Sequence, residues 1–369
     1  MGLRTTKRSE ITNARRIVVK IGSSSLTHPD GSLDEARIQT LATVLARLHD
    51  EGRRVVVVTS GAIAAALKPL GLRRRPRDLE TQQAAAAVGQ GLLIRSYSDA
   101  FAAHGLTVAQ LLLTVDDVLS PTTYRNALNT FSRLFRLGVV PVVNENDTTA
   151  THEVRFGDND RLAALIAHLV RADALVLLSD VDGLYTAHPD TPGATMLSRV
   201  DDVAALDVDT SRIGSRVGTG GMRTKVQAAD IATGAGVAVV LTHANNLAQA
   251  LAGEEVGTLF TPSGKRRPRR LLWLAHAAQP RGRVHVDAGA VTAITRQHAS
   301  LLPVGVTHVE GAFEEGDPIE IIGPDDAVVA RGFAGHGSHE LLDALSNGAA
   351  DGALGMHGPV VHRDLLIML

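Results

Sequence analysis

Residues 54–67 read RVVVVTSGAIAAAL, an apolar run over Val55–Val58 that passes through Thr59, Ser60 and Gly61 into a stretch of small residues. Strands with one solvated face alternate polar and apolar side chains, whereas strands covered on both faces stay apolar throughout. The run therefore predicts an interior strand over Arg54–Thr59, and Ser60-Gly61 then turns the chain into a helix. Such a helix start offers unbonded N–H groups and a dipole that favours an anion. A serine that does no more than cap the helix fits the same residues.

The same grammar recurs on either side. Strands are predicted at Arg16–Ile21, Thr107–Leu112, Val139–Val143, Ala174–Leu178 and Gly236–Leu241. Helical patterns fall between them at Leu33–Asp50, Thr81–His104, Pro121–Leu137, Asn159–Val170 and Met222–Gly234. Ser32 and Glu35 have capping-box spacing for the first of these helices. Strand–helix alternation of this kind predicts an α/β fold, a three-layer α/β/α mostly parallel sheet.

The pattern changes near residue 262. Thr261–Arg270, TPSGKRRPRR, holds two prolines, one glycine and five basic residues without an apolar period, and reads as a linker or exposed edge. Beyond it lie strand-like pieces at Gly282–Val286 and Pro318–Ile322, a helical stretch after Asp287, and glycine turns at Gly311, Gly316 and Gly323. The expected organisation is a large domain over 14–262, a linker over 263–280 and a small β-rich domain over 281–369.

A chain of 369 residues is longer than one hydrophobic core usually serves. Apolar residues make up 44% and charged residues 21%, as in an ordinary folded protein, and aromatics only 3%, so Val, Leu, Ile and Ala must fill the core. Cysteine is absent, which excludes disulfides, thiolate metal sites and a cysteine nucleophile. A net charge of −2 gives no whole-protein footprint for nucleic acid or membrane. Met1–Arg16 is polar and lacks a signal-peptide apolar core, and Val55–Leu67 is too short to span a bilayer. A cytoplasmic protein without membrane or RNA partners is expected.

The candidate chemistry lies where the strands end, because open parallel sheets bind ligands beyond the carboxyl ends of their strands. Lys20 stands near the end of the first strand, followed by Gly22 and Ser23–Ser25, whose N–H and hydroxyl groups suit phosphate. A buried ammonium costs free energy unless an anion meets it, although a strand-end lysine can also snorkel to water. Asn144-Glu145-Asn146-Asp147 follow the fourth strand and suit an α-ammonium group; ordinary turns use the same residue types. Gly157-Asp158-Asn159-Asp160 places three acid or amide residues at a helix start, where capping needs one. Ser179-Asp180 end the fifth strand, and Gly218–Lys225, GTGGMRTK, forms a glycine-rich loop that can approach phosphates closely.

Several motifs are missing. Neither GxxxxGK[ST] nor GxGxxG occurs, HExxH and GxSxG are absent, and His336 and His339 lack a third ligand nearby. The basic cluster Lys265–Arg270 has no interleaved aromatics, with Trp273 the only one close by.

Taken in order and spacing, KIGSS (20–24), VTSGAIA (58–64), PVVNENDT (141–148), GDND (157–160), SDVDGLYTA (179–187) and GTGGMRTK (218–225) resemble the glutamate 5-kinase branch of the amino-acid kinase family. GRVHVDAGAVTAI (282–294) and SLLPVGVTHVEGAF (300–313) resemble the PUA domain, a small pseudo-barrel. The resemblance spans roughly residues 14–369. It implies ATP-dependent phosphorylation of the γ-carboxylate of L-glutamate to L-glutamyl 5-phosphate, with Mg²⁺, as the first step of proline synthesis.

By the resemblance, Lys20 and Lys225 contact the phosphates and Asp160 organises them. Ser60, Asp147 and Asn159 bind glutamate, with Gly61, Asn144 and Asp158 beside them. Gly22, Ser179, Asp180, Thr219, Gly220, Gly221, Met222, Arg223 and Thr224 join the lysines in holding ATP. Ser179 stands where threonine is more usual, and Ala66 where glycine is common. The resemblance also implies a homo-oligomer (dimer or tetramer), proline as feedback inhibitor, and a glutamyl phosphate reductase as consumer of the product. Other acceptors used within the family (aspartate, acetylglutamate, carbamate, UMP) stay open at this point, as does an RNA-binding protein acting through the PUA-like domain.

Overall fold

The computed structural model describes residues 8–28, 32–119, 121–148, 159–203, 205–206, 221–262, 280–297, 299–346 and 358–368. The chain divides into two compact units, Met1–Arg266 and Arg267–Leu369. Residues 263–279, with the basic cluster Lys265–Arg270, lie outside the described residues.

In the first unit the apolar run becomes β2 (Arg54–Val58), flanked by β1 (Arg16–Ile21) and β4 (Val140–Glu145). With β3 (Val108–Leu113), β5 (Ala174–Ser179), β6 (Arg199–Val200), β7 (Ala238–His243) and β8 (Thr258–Phe260) they form one sheet, ordered β3-β4-β2-β1-β5-β7-β8-β6. Every pairing is parallel except β7 with β8. The interior strands β1, β2, β4 and β5 are buried along nearly their whole length, which is why they read as unbroken apolar runs. The edge strand β3 is only partly buried.

The helices of this unit are α1 (Ser9–Thr12), α2 (Glu35–Asp50), α3 (Ala62–Leu67), α4 (Leu79–Ala102), α5 (Val115–Leu119), α6 (Pro121–Arg136), α7 (Asn159–Leu169), α8 (Met222–Gly234) and α9 (Leu247–Leu251). Ile17, Val19 and Ile21 of β1 share a core with Ile38, Leu41 and Leu45 of α2 and Leu93, Tyr97 and Phe101 of α4. Alternation along the strand then turns Val18 and Lys20 to the opposite face, where α7 packs against β1.

The helix starts differ from expectation. The Ser32–Glu35 capping box does not form: α2 begins at Glu35 and its cap is Asp34, whose carboxylate accepts the Arg37 N–H at 3.0 Å. A start two residues later than predicted puts Ser32 out of phase with the first turn. Asp78 likewise caps α4, accepting the Thr81 N–H at 2.9 Å, so that helix begins two residues before Thr81. Gly61 caps α3 in the left-handed region (φ 104°), which glycine adopts without steric cost, and no side-chain cap bond forms there. The capping alternative for Ser60 is thereby set aside. A Cβ on Gly89 of α4 would lie 1.7 Å from the Ala62 carbonyl oxygen, so only glycine lets α4 press this closely on the start of α3.

The second unit holds a sheet ordered β10-β9-β11-β12-β13, from β9 (Gly282–Val286), β10 (Val306–Gly311), β11 (Pro318–Ile322), β12 (Val328–Phe333) and β13 (Leu366–Met368). The β9–β11 pair is parallel and the others antiparallel. Val284, Ile319, Ile321 and Ala330 form its core with Ile294 of α10 (Ala288–Gln297) and Leu341 of α11 (Ser338–Ser346). Glu320 is buried on β11 between cross-strand neighbours, 2.8 Å from Arg331 and 3.4 Å from Arg283. Among the described residues no helix is long and apolar enough to cross a membrane.

Candidate active site

The parallel strands β1, β2, β4 and β5 all end at one edge of the large sheet. Between β1 and β5 the strand order reverses direction: β2 lies on one side of β1 and β5 on the other. Such a switch point leaves a crevice beyond the strand ends. Lys20, next to last in β1, stands there, paired in register with Val58 and Leu177.

Asp160, on the first turn of α7, meets Lys20 at 2.5 Å through Oδ1 and Lys225 at 3.4 Å through Oδ2. All three side chains are buried. The Thr224 hydroxyl lies 2.8 Å from both Asp160 Oδ2 and the Gly221 carbonyl, and its one proton can serve one of them at a time. Burial pushes the Asp160 carboxyl up, but the Lys20 and Lys225 ammoniums, with hydrogen bonds from Lys20 and Thr224, outweigh it and hold the group well below the usual carboxylate range. Two ammoniums brought from opposite ends of the unit thus share one ionised carboxylate. A Cβ on Gly22 would sit 3.5 Å from Lys20 Nζ, so the chain after β1 borders that ammonium.

At the end of β4 the polar residues turn inward. The Glu145 N–H is shared between Asn144 Oδ1 at 2.9 Å and Asn159 Oδ1 at 3.2 Å, which ties β4 to the start of α7. The Gln90 amide donates to the Glu145 carbonyl at 3.3 Å, and Gln110 braces Gln90 at 3.0 Å. Asn144 Nδ2 and Asp147 Oδ1 are buried and have no hydrogen-bond partner among the described residues. Burial raises the Asp147 carboxyl to about 6, against the pull of the Arg75 charge. Ser60, partly exposed, and Gly61 lie just beyond the end of β2, and the Thr59 hydroxyl before them bonds the Tyr97 hydroxyl of α4 at 2.9 Å.

At the end of β5 the Ser179 hydroxyl donates to Asp180 at 3.0 Å, with Ser179 buried and Asp180 exposed. Gly221 opens α8; Met222 is buried and Arg223 exposed. Asp158, Thr219 and Gly220 lie outside the described residues. The structure therefore joins Lys20, Asp160, Thr224 and Lys225 directly, and Asn144 with Asn159 through one backbone amide. Sequence reasoning passed over Arg75, one of four arginines in Arg73–Arg77, because nothing in an arginine run marks which member turns inward. Among the described residues no group of three or more His, Asp or Glu side chains is placed to hold a metal ion, and His336 faces Glu340 at 3.3 Å.

Residues 15–243 match the amino acid kinase family, and residues 282–351 match the PUA domain. The chain is 53% identical over 369 residues to a protein of Cutibacterium acnes named glutamate 5-kinase, covering 99% of this chain and 94% of that one. It is 55% identical over 371 residues to the glutamate 5-kinase of Salinispora arenicola, covering 98% and 100% respectively. Among solved structures, carbamate kinase from Giardia lamblia bound to AMP-PNP has the same fold over 68% of this chain and 100% of that chain, with a TM-score of 0.51 and 17% identity. On this likeness the chain belongs to the amino acid kinase family, among its glutamate 5-kinases, and carries a PUA domain.

Proposed function

We propose that this chain transfers the γ-phosphoryl group of ATP to the γ-carboxylate of L-glutamate, giving L-glutamyl 5-phosphate and ADP, the first step of proline synthesis. The observation that carries the mechanism is the sharing of Asp160 by two buried ammoniums at the sheet's switch point. A γ-carboxylate is already ionised at pH 7, so the reaction needs no general base. The obstacle is repulsion between two anions. Lys20 and Lys225 offset it by facing the phosphoryl oxygens, and Asp160 and Thr224 hold the two ammoniums in place. A carboxylate oxygen attacks the γ-phosphorus, the bond to the bridging oxygen breaks, and its electron pair leaves with ADP.

Nucleotide contacts fall to Gly22, to Ser179 and Asp180, and to Thr219–Lys225, where the start of α8 directs N–H groups at phosphate. Mg²⁺ would arrive with ATP as part of the substrate and would lower the charge that the lysines face. Glutamate would lie against Ser60, Gly61, Asn144, Asp147, Asp158 and Asn159. The same reading expects a cytoplasmic homo-oligomer, inhibition by proline at the glutamate pocket, and a reductase that takes up the labile acyl phosphate.

The test is ADP release with hydroxylamine present to trap acyl phosphate. Glutamate should support turnover, and aspartate, N-acetylglutamate, carbamate and UMP should not. Turnover with one of those acceptors in place of glutamate would overturn the assignment.

Asp147 supplies a pH dependence whose sign follows from its role. An ammonium must meet the ionised carboxylate, and burial holds that group at about 6 in the free protein. As pH falls below that value Asp147 takes up a proton, so kcat/KM for glutamate should drop roughly tenfold per unit. Asp147→Asn should raise KM for glutamate about 10- to 100-fold, leave kcat nearly unchanged and abolish this acid limb. An unaltered KM would remove Asp147 from the pocket.

A further inference from the structure

Strand β2 gives out before its neighbour β4. Their register runs Val57 with Val142 and Val58 with Val143, and the Thr59 N–H closes it on the Val143 carbonyl at 2.9 Å. The chain then turns away from β2 through Ser60 and Gly61, while β4 continues to Glu145. Along a parallel strand, alternate residues direct their N–H and C=O to the same neighbour. Val143 and Glu145 therefore face the β2 side, and Asn146 faces β3, where the Leu113 carbonyl accepts its N–H at 3.2 Å. Past the end of β2, side-chain amides take the place of a strand. Asn144 and Asn159 accept the Glu145 N–H at 2.9 and 3.2 Å, and the buried Gln90 of α4 donates to the Glu145 carbonyl at 3.3 Å. These backbone groups fix which end each amide presents. The N–H can only donate, so both asparagines turn Oδ1 to it and direct Nδ2 elsewhere; Asn144 Nδ2 has no hydrogen-bond partner among the described residues. The carbonyl can only accept, so Gln90 turns Nε2 to it and accepts at Oε1 from Gln110 of β3 at 3.0 Å.

We propose that Gln90 is a positioning residue for the amino-acid substrate: by holding the Glu145 carbonyl it fixes the backbone from Asn144 to Asp147, and so aims the Asn144 amide and the Asp147 carboxylate at the substrate. This rests on the glutamate reading above and adds a residue to it. Gln90 acts through the backbone and needs no contact with the substrate. A buried carbonyl deprived of its donor carries the cost of desolvation. Turning the peptide to recover a partner displaces Asp147, two residues on, and loosens the hold on Asn144. The effect falls on glutamate binding, because Lys20, Asp160 and Lys225 are held by contacts of their own.

The experiment is steady-state kinetics on two variants and their combination, with Tm measured alongside. Gln90→Met keeps the length of the side chain without its hydrogen bonds. It should raise KM for glutamate about tenfold and leave kcat and KM for ATP within about threefold of the wild type. Gln110→Met, at an exposed position on the edge strand, should raise KM for glutamate about threefold with Tm unchanged. That variant decides the question if Gln90→Met folds poorly. Because Gln110 acts through Gln90, the double variant should lose no more than Gln90→Met alone, whereas independent effects would multiply to about thirtyfold. An unchanged KM for glutamate in Gln90→Met, or in Gln110→Met where the first does not fold, overturns the proposal while the glutamate reading stands. So does a loss shared equally by kcat and both KM values, or multiplying effects in the double variant. A wild type that does not turn over glutamate overturns the glutamate reading, and this proposal with it.

Discussion

Lys225→Met should lower kcat for glutamate-dependent ADP release by about 10²- to 10³-fold and shift KM for glutamate by less than about threefold. The reason lies in where the ammonium is held. Lys225 is buried on the first turn of α8, and Asp160 fixes its Nζ from one side. In the proposed mechanism a charge held in this way would act on the phosphoryl group in flight, when negative charge shifts onto oxygens that a low-dielectric site cannot otherwise solvate. On the proposed assignment glutamate in its ground state would be held elsewhere, at the end of β4, so its affinity has little reason to change. Methionine is close to lysine in length and packs well, and Lys20 remains to pair with Asp160, so the variant should fold. Measuring Tm alongside the kinetics separates a lost charge from a lost structure. A variant with unchanged Tm and near-normal kcat would take Lys225 out of the phosphoryl-transfer step.

The sheet could be read from the sequence because burial on both faces leaves no alternation to misread, as in Val55–Val58 and Ala174–Leu178. Longer elements came through closely: the predicted Met222–Gly234, Gly282–Val286 and Pro318–Ile322 match the structure residue for residue. β6 and β8 have two and three residues, too few for any period to register. At the start of α2, Ser32 and Asp34 compete as caps, and residue preference cannot choose between phases that differ by two positions. Lys20, Asp160 and Lys225 each stood out as residues of the right type. Their meeting depended on strand order, on β5 lying beside β1 and α7 crossing over it, which no local pattern encodes. Arg75 was hidden for a different reason. A run of arginines reads as a solvated face, and only the packing of the loop distinguishes the member that is partly buried.

Asp160→Asn should cost about 3 kcal/mol of stability at pH 7 and lower kcat by at least about 100-fold. Asparagine has nearly the same shape, so the loss isolates the charge. Without the carboxylate, two ammoniums stay buried at one site with a neutral amide between them, and each repels the other at low dielectric. The pH dependence follows from the direction of the Asp160 shift. Its folded-state carboxyl is held below the unfolded value, so the stability it contributes is present above about pH 4 and disappears as pH falls through the folded value. Denaturant titrations at stepped pH should therefore show a wide gap between wild type and variant at pH 7 that narrows steadily below about pH 4. A gap that stayed constant to pH 3 would mean the asparagine disturbs packing, and that the lysines are placed by their own strand and helix. A gap that closes in acid, together with a kcat loss at neutral pH, would tie stability and turnover to the same carboxylate. The arrangement that positions Lys20 and Lys225 for phosphoryl transfer would then also be the one that makes burying them tolerable.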